Sequence, residues 1–174
     1  MIAGHKKIIG KLIEESKSGS LHHCQIFLGP SNVGKSKVAL ILATTMQCQN
    51  QNDPILKKQI ADGVDPDTII LKDDGEIIPI EKIREIVFRS TLSHTRPYLI
   101  FIIENIGRLK IESMNALLKT LEEPKKNCYF FLTSNREEDV IDTIKSRSQI
   151  RRFQAVPDVE LITMCEENPY RGEL

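Results

Sequence analysis

The chain has no net charge: 24 lysines and arginines balance 24 aspartates and glutamates in 174 residues. Without an overall field, nothing draws the protein as a whole onto nucleic acid or an anionic membrane. Any such contact must be local or made through partners. Long apolar runs are missing too. None approaches the roughly 20 residues that a bilayer-spanning helix needs. No signal-peptide pattern opens the chain, so the cytoplasm is the expected compartment. Cys24, Cys48, Cys128 and Cys165 include no C-x-x-C pair. That excludes the usual zinc spacings and gives no disulfide framework. Cys24 and Cys128 border or sit in apolar stretches and are expected as buried free thiols. His22 and His23 are adjacent, which is not the spacing of a helical ligand pair, and they read as surface or hinge residues.

What is present is a phosphate-binding pattern. Residues 29–36 read GPSNVGKS, a complete G-x-x-x-x-G-K-[ST]. The apolar segment Gln25-Ile26-Phe27-Leu28 precedes it, as a buried strand would. A helix-forming stretch from Lys37 to Ala43, free of glycine and proline, follows. Strand, glycine loop and helix is the context that makes this pattern a site. Gly29 and Gly34 let the backbone turn and aim its N–H groups at an anion. The helix N-terminus adds its partial positive charge there. In such a loop Lys35 reaches the β- and γ-phosphates and the Ser36 hydroxyl binds Mg²⁺.

The remaining pattern alternates strands and helices. Helices are expected over Lys6 to Lys17, from the loop to about Gln47, weakly over Ile55 to Ala61, and over Ile80 to Leu92, Lys110 to Glu122 and Asp139 to Lys145. Strands are expected at Gln25–Leu28, Thr68–Leu71, Tyr98–Ile103, Cys128–Leu132 and Gln149–Phe153. Asp73-Asp74-Gly75 reads as a turn, followed by a short hairpin arm at Ile77 and Ile78. YLIFII at 98–103 is the most continuously apolar stretch, which suits a strand covered on both faces. The whole predicts an α/β fold with a mostly parallel five-stranded sheet, and ligands at the carboxyl ends of its strands. One more helix fits near Asp158 to Glu166.

Three segments beyond the phosphate loop resemble the AAA+ clamp-loader ATPases of bacterial DNA polymerase III. NALLKTLEEP at 115–124 is similar to the helix after that family's second nucleotide-binding strand. Ser146-Arg147-Ser148 sits where the family carries its Ser-Arg-Cys arginine-finger motif. The opening from Ile2 to Gly34, with Gly4-His5 and His23, resembles the family's first helix and loop. The resemblance runs from about Ile2 to Phe153. Asp65-Pro66-Asp67, the Gly75 turn and Ile83-Arg84 look more like delta-prime than gamma subunits.

The resemblance implies a P-loop NTPase of the AAA+ type, a three-layer sandwich. Residues 1–156 would form the nucleotide-binding domain and 157–174 the start of a lid, the chain stopping before the lid and collar domains. It implies ATP or ADP with Mg²⁺, held by Gly29, Pro30, Ser31, Asn32, Val33, Gly34, Lys35, Ser36 and Lys37. Thr133 or Asn135 would stand near the γ-phosphate, and the sequence does not separate the two. The family's second nucleotide-binding strand ends in Asp-Glu, the first helping to hold Mg²⁺ and the second polarising water. Counting back from Asn115 puts Glu104 and Asn105 at those positions. Glu104 keeps a carboxylate for the metal, with Ser36. Asn105 cannot take a proton, and general-base help is worth roughly 10²–10⁴-fold, so weak or absent intrinsic hydrolysis is expected. Arg147 would serve a neighbouring subunit's γ-phosphate. The family's four-cysteine zinc module is reduced to Cys48, so no structural metal is expected. Implied partners are other clamp-loader subunits and, through them, a sliding clamp and primed DNA, the isolated chain being monomeric or weakly associating.

Overall fold

The computed structural model describes residues 5–49 and 53–155. Its first half runs α1 (Lys6–Ser18), β1 (Cys24–Leu28), α2 (Lys35–Cys48), α3 (Pro54–Asp62), β2 (Thr68–Leu71) and α4 (Ile80–Thr91). Then come β3 (Leu99–Ile103), α5 (Ile111–Glu122), β4 (Cys128–Ser134), α6 (Asp142–Lys145) and β5 (Gln149–Arg152). Short 3-10 turns stand at Ile106–Arg108 and Glu137–Asp139. The strands form one sheet in the order β2-β3-β4-β1-β5. Every pairing is parallel.

Alternation along each strand builds three layers, because successive side chains point to opposite faces. Leu99, Phe101 and Ile103 join Cys24, Ile26, Phe130 and Leu132 on one face, covered by Ile83 and Ile86 of α4 and Met114, Leu117 and Leu121 of α5. Ile100 and Ile102 join Phe27 and Phe131 on the other, under Leu12 of α1 and Val38 and Leu42 of α2. β3 is therefore buried on both sides, which explains its unbroken apolar sequence. The helix after β1 covers one face, and those after β2 and β3 cover the opposite one. A crevice opens at the carboxyl ends where that change occurs.

Local signals fix most boundaries. Gly19, at φ 72°, closes α1. The Asp53 side chain accepts from Leu56 N at 2.9 Å and caps α3, with Pro54 at its first position. Buried Asp67 accepts from Thr95 N, Thr95 Oγ1 and Arg96 N, each at 2.8 Å, tying the start of β2 to the approach of β3.

Three expectations are corrected. Ile77 and Ile78 form no hairpin arm: Ile78 makes an isolated parallel bridge with Leu109 and donates its N–H to Arg108 O at 3.1 Å. The helix expected over Asp139 to Lys145 is broken. A 3-10 turn ends at Asp139, Val140 and Ile141 are extended, and α6 begins at Asp142. Two adjacent β-branched residues resist helix there, and Val140 is drawn into the core beside Ile144. Finally, His22 and His23 are half-buried rather than surface residues. His23 Nε2 lies 2.8 Å from Leu121 O and so pins the approach to β1 onto α5. Cys24, Cys48 and Cys128 are buried free thiols, and burial pushes Cys24 and Cys128 up to about 12. Cys165, the helix near Asp158 to Glu166 and residues 157–174 lie outside the described residues.

Candidate functional site

The loop after β1 is gripped from both neighbouring strands. Gly29 N donates to Ser134 O of β4 at 3.2 Å. A Cβ on Gly29 would stand 2.3 Å from Phe153 O, so only glycine lets the chain after β5 lie against the loop. Phe153 N donates in turn to Leu28 O at 2.6 Å. Its ring meets Phe27 and His5 edge-on. Buried His5 holds Nε2 3.0 Å from Val33 O, donating to that carbonyl in the matching tautomer. Gly34, at φ 94°, turns the loop into α2. Gly34, Lys35, Ser36 and Lys37, at the start of α2, line the crevice, the end at which a helix offers N–H groups not used by its own ladder.

Lys35 is only 6% exposed. Its Nζ donates to Gly29 O (2.7 Å), Pro30 O (2.5 Å) and Asn135 Oδ1 (3.1 Å). All three acceptors are neutral, and burial lowers its pKa from the ordinary lysine value. Among the described residues the ammonium is thus a buried cation held by dipoles rather than by a counter-charge. An anion placed beside it would relieve that cost.

A cavity of about 470 Å³ opens beside Lys35. Ser31, Asn32, Gly34, Ser36 and Lys37 line it from the loop and α2. Asp73, Glu104, Asn105, Thr133 and Asn135 line it from the ends of β2, β3 and β4. Gly29, Pro30 and Val33 do not face it: the first two offer carbonyls to Lys35, and Val33 packs on the apolar layer. The two polar residues left unresolved by sequence separate here. Asn135 touches the lysine, whereas Thr133 Oγ1 accepts from Asn105 N at 2.8 Å.

Glu104 N donates to Leu71 O at 2.9 Å, and its Oε2 accepts from Asp73 N at 3.1 Å. Asn105 is left-handed, at φ 51°, a conformation asparagine tolerates. Its Nδ2 donates to Asp73 Oδ2 at 2.6 Å. Asp73 Oδ1 accepts from Gly75 N at 3.0 Å and lies 3.5 Å from Arg108 Nε. Desolvation opposes ionisation of Asp73. The bonds from Asn105 and Gly75 and the Arg108 charge outweigh it and hold the carboxyl below the ordinary range.

These residues fit a magnesium nucleotide. A buried lysine held by neutral acceptors, helix-end amides, a Ser36 hydroxyl and a Glu104 carboxylate share one cavity. Hydroxyl and carboxylate oxygens are the donors a hard cation takes, with phosphate and water completing its shell.

Arg147 stands elsewhere. It lines a separate opening with His22, His23, Leu121, Glu122 and Ser146. Its Nη2 pairs with Glu122 and its Nη1 donates to Thr143 O at 2.8 Å. Sequence reasoning missed the placement of Asp73, which looked like one more turn residue. Leu71 pairs with Ile103 in the parallel register, so the chain two residues beyond reaches Asn105. It also gave His5 no role at the loop.

Residues 4–157 match the family described as DNA polymerase III, delta subunit. DNA polymerase III subunit gamma of Buchnera aphidicola is 30% identical over 167 residues, covering 92% of this chain and 46% of that protein. Subunit tau of Bacillus subtilis is 28% identical, covering 92% of this chain and 30% of the relative. The chain thus spans less than half the length of these relatives. Among solved structures, a gamma subunit-related protein of Thermotoga maritima superposes with a TM-score of 0.67 at 21% identity, over 87% of this chain and 47% of that one. A single-residue variant of RuvB from the same organism gives 0.64 at 17% identity, over 95% of this chain and 50% of that one. At these identities the structures speak for the fold alone, a three-layer α/β sandwich around a parallel sheet. With the family match covering nearly all described residues, the chain belongs to the family described as DNA polymerase III, delta subunit, and is similar to gamma and tau subunits of DNA polymerase III.

Proposed function

We propose that the cavity beside Lys35 binds ATP or ADP with Mg²⁺, and that the chain acts as a delta-prime-like subunit in loading a sliding clamp onto primed DNA. The observation carrying this reading is the buried Lys35 ammonium at the start of α2, open to a cavity that Ser36 and Glu104 share. Amides of the loop and Lys35 would hold the phosphates. Ser36 and Glu104 would hold the metal, which when bound neutralises developing phosphate charge. Asn135, already touching Lys35, would sense the terminal phosphate.

The same geometry supports binding over cleavage. Asn105 stands where the family carries its water-polarising glutamate, and an amide takes no proton at neutral pH. Arg147 opens on a different surface from Lys35, as a residue serving another subunit's nucleotide must. An arginine there would stabilise the phosphoryl charge that develops at the neighbour's site. A second reading, a gamma-like motor that hydrolyses ATP in its own site, is favoured by the gamma and tau names of the relatives.

A fluorescent ATP analogue titrated into wild type and Lys35→Ala tests the nucleotide reading. Saturable Mg²⁺-dependent binding, lost in the variant, is expected. Equal signals from both proteins would remove it. Turnover by the full-length protein alone separates the two roles: a rate matching that of the assembled complex would make the chain a motor.

A further inference from the structure

We infer that Asp73 is a positioning residue for hydrolysis: it fixes the Asn105 amide so that a carbonyl oxygen, in place of a carboxylate, holds water in the nucleotide cavity. The inference rests on the nucleotide reading above. It begins from the bonding of the Asp73 carboxylate. Gly75 N, at 3.0 Å, and Arg108 Nε, at 3.5 Å, both engage Oδ1. Oδ2 is thereby the atom presented to Asn105, whose Nδ2 lies 2.6 Å away. A carboxylate only accepts, so the amide nitrogen is held on Asp73 and its Oδ1 is turned the other way.

The backbone of Asn105 is held as well. Asn105 N is fixed on Thr133 Oγ1 at 2.8 Å, and its left-handed φ of 51° leaves little freedom for the side chain's root. Asp73 and Asn105 line the same cavity as Lys35 and Ser36. A charged acceptor on one side of an amide also polarises it, strengthening the carbonyl as a hydrogen-bond acceptor on the other side. The pair can orient water at a lower rate than a glutamate would, without drawing off its proton. Asp73 therefore connects the loop after β2 to the chemistry at the end of β3.

Isosteric exchange tests this. In Asp73→Asn the introduced amide nitrogen takes the place of Oδ2, so Asn105 must reverse and show its NH₂ to the cavity. Single-turnover hydrolysis by the full-length protein is expected to fall about tenfold, the worth of one charge-assisted hydrogen bond. Affinity for the fluorescent nucleotide is measured alongside, and a fall in binding as large as the fall in turnover would overturn the inference, because it would make Asp73 a binding residue of the cavity. Asn105→Asp alone sets two carboxylates face to face and also lowers turnover. The reciprocal swap D73N/N105D restores the pair and returns the rate to wild type or above.

A second readout needs no turnover. The Asn105 side-chain NH₂ signals in a ¹⁵N spectrum, assigned by their loss in Asn105→Asp, should lie downfield in wild type and move upfield in Asp73→Asn. Asp73→Asn without effect on those signals or on turnover would overturn the inference while leaving nucleotide binding intact. Equal losses in both single variants and the swap would overturn it too, as the mark of a purely structural role. Failure of wild type to bind nucleotide would overturn this inference together with the reading it rests on.

Discussion

Gly29 and His23 show how much depends on single side chains around the loop. Gly29→Ala would drive a methyl into Phe153 O, 2.3 Å from the ideal Cβ, so either the loop or the chain after β5 must move. A loss of about 2–3 kcal/mol in urea unfolding is expected, together with weaker nucleotide binding. His23 carries a pH dependence. Burial, with a smaller push from His22, lowers its pKa below the ordinary value, against the opposing bond to Leu121 O. A histidine whose folded pKa lies below its unfolded one binds more protons when unfolded. Its contribution is therefore complete above the ordinary histidine range. It is lost as pH falls from about 6.5 through the lowered folded value. Unfolding curves for His23→Gln between pH 5 and 8 should be flatter than those of wild type. An unchanged slope would assign the acid sensitivity to other groups.

The joins between strands and helices carry the next set of consequences. Asp67 is the clasp between β2 and β3, with three donors on one buried carboxylate oxygen. Asp67→Ala leaves those donors unpaired and should cost about 2–3 kcal/mol, read as a lowered urea midpoint. Leu117 of α5 is fully buried between sheet and α4, and Leu117→Ala should cost about 3 kcal/mol. These contacts also mark how far sequence reasoning reaches. GPSNVGKS and the apolar alternation of β1, β3 and β4 are local patterns, so the loop, the strands and the long helices could be placed from them. Glu104 and Asn105 were placed by counting from a ten-residue match, and both line the cavity. What stayed hidden depends on register between distant segments. No local pattern says that Leu71 pairs with Ile103 and delivers Asp73 to Asn105, or that Ile78 bridges to Leu109 instead of turning back. The break before α6 shows the same limit: its charged and apolar spacing suits a helix, but core burial of Val140 wins.

Among the openings of the described residues, the one beside Lys35 and the one beside Arg147 share no lining residue. In the proposed role Arg147 serves the nucleotide of a neighbouring subunit. Arg147→Ala should then leave the chain's own nucleotide affinity within about twofold, while turnover at the neighbouring site falls by roughly 10³-fold. Equal turnover in complexes built with either protein would remove the finger role. Glu122, which now pairs with Arg147, must release it for such an interface to form. The central claim is that phosphates lie against the start of α2, and a backbone amide spectrum recorded during titration with Mg·ADP addresses it most directly. The account predicts that the largest changes fall on Asn32 to Lys37 and Asn135, with Arg147 and its surroundings unmoved. Saturation without changes in that loop, or changes centred on another surface, would contradict it.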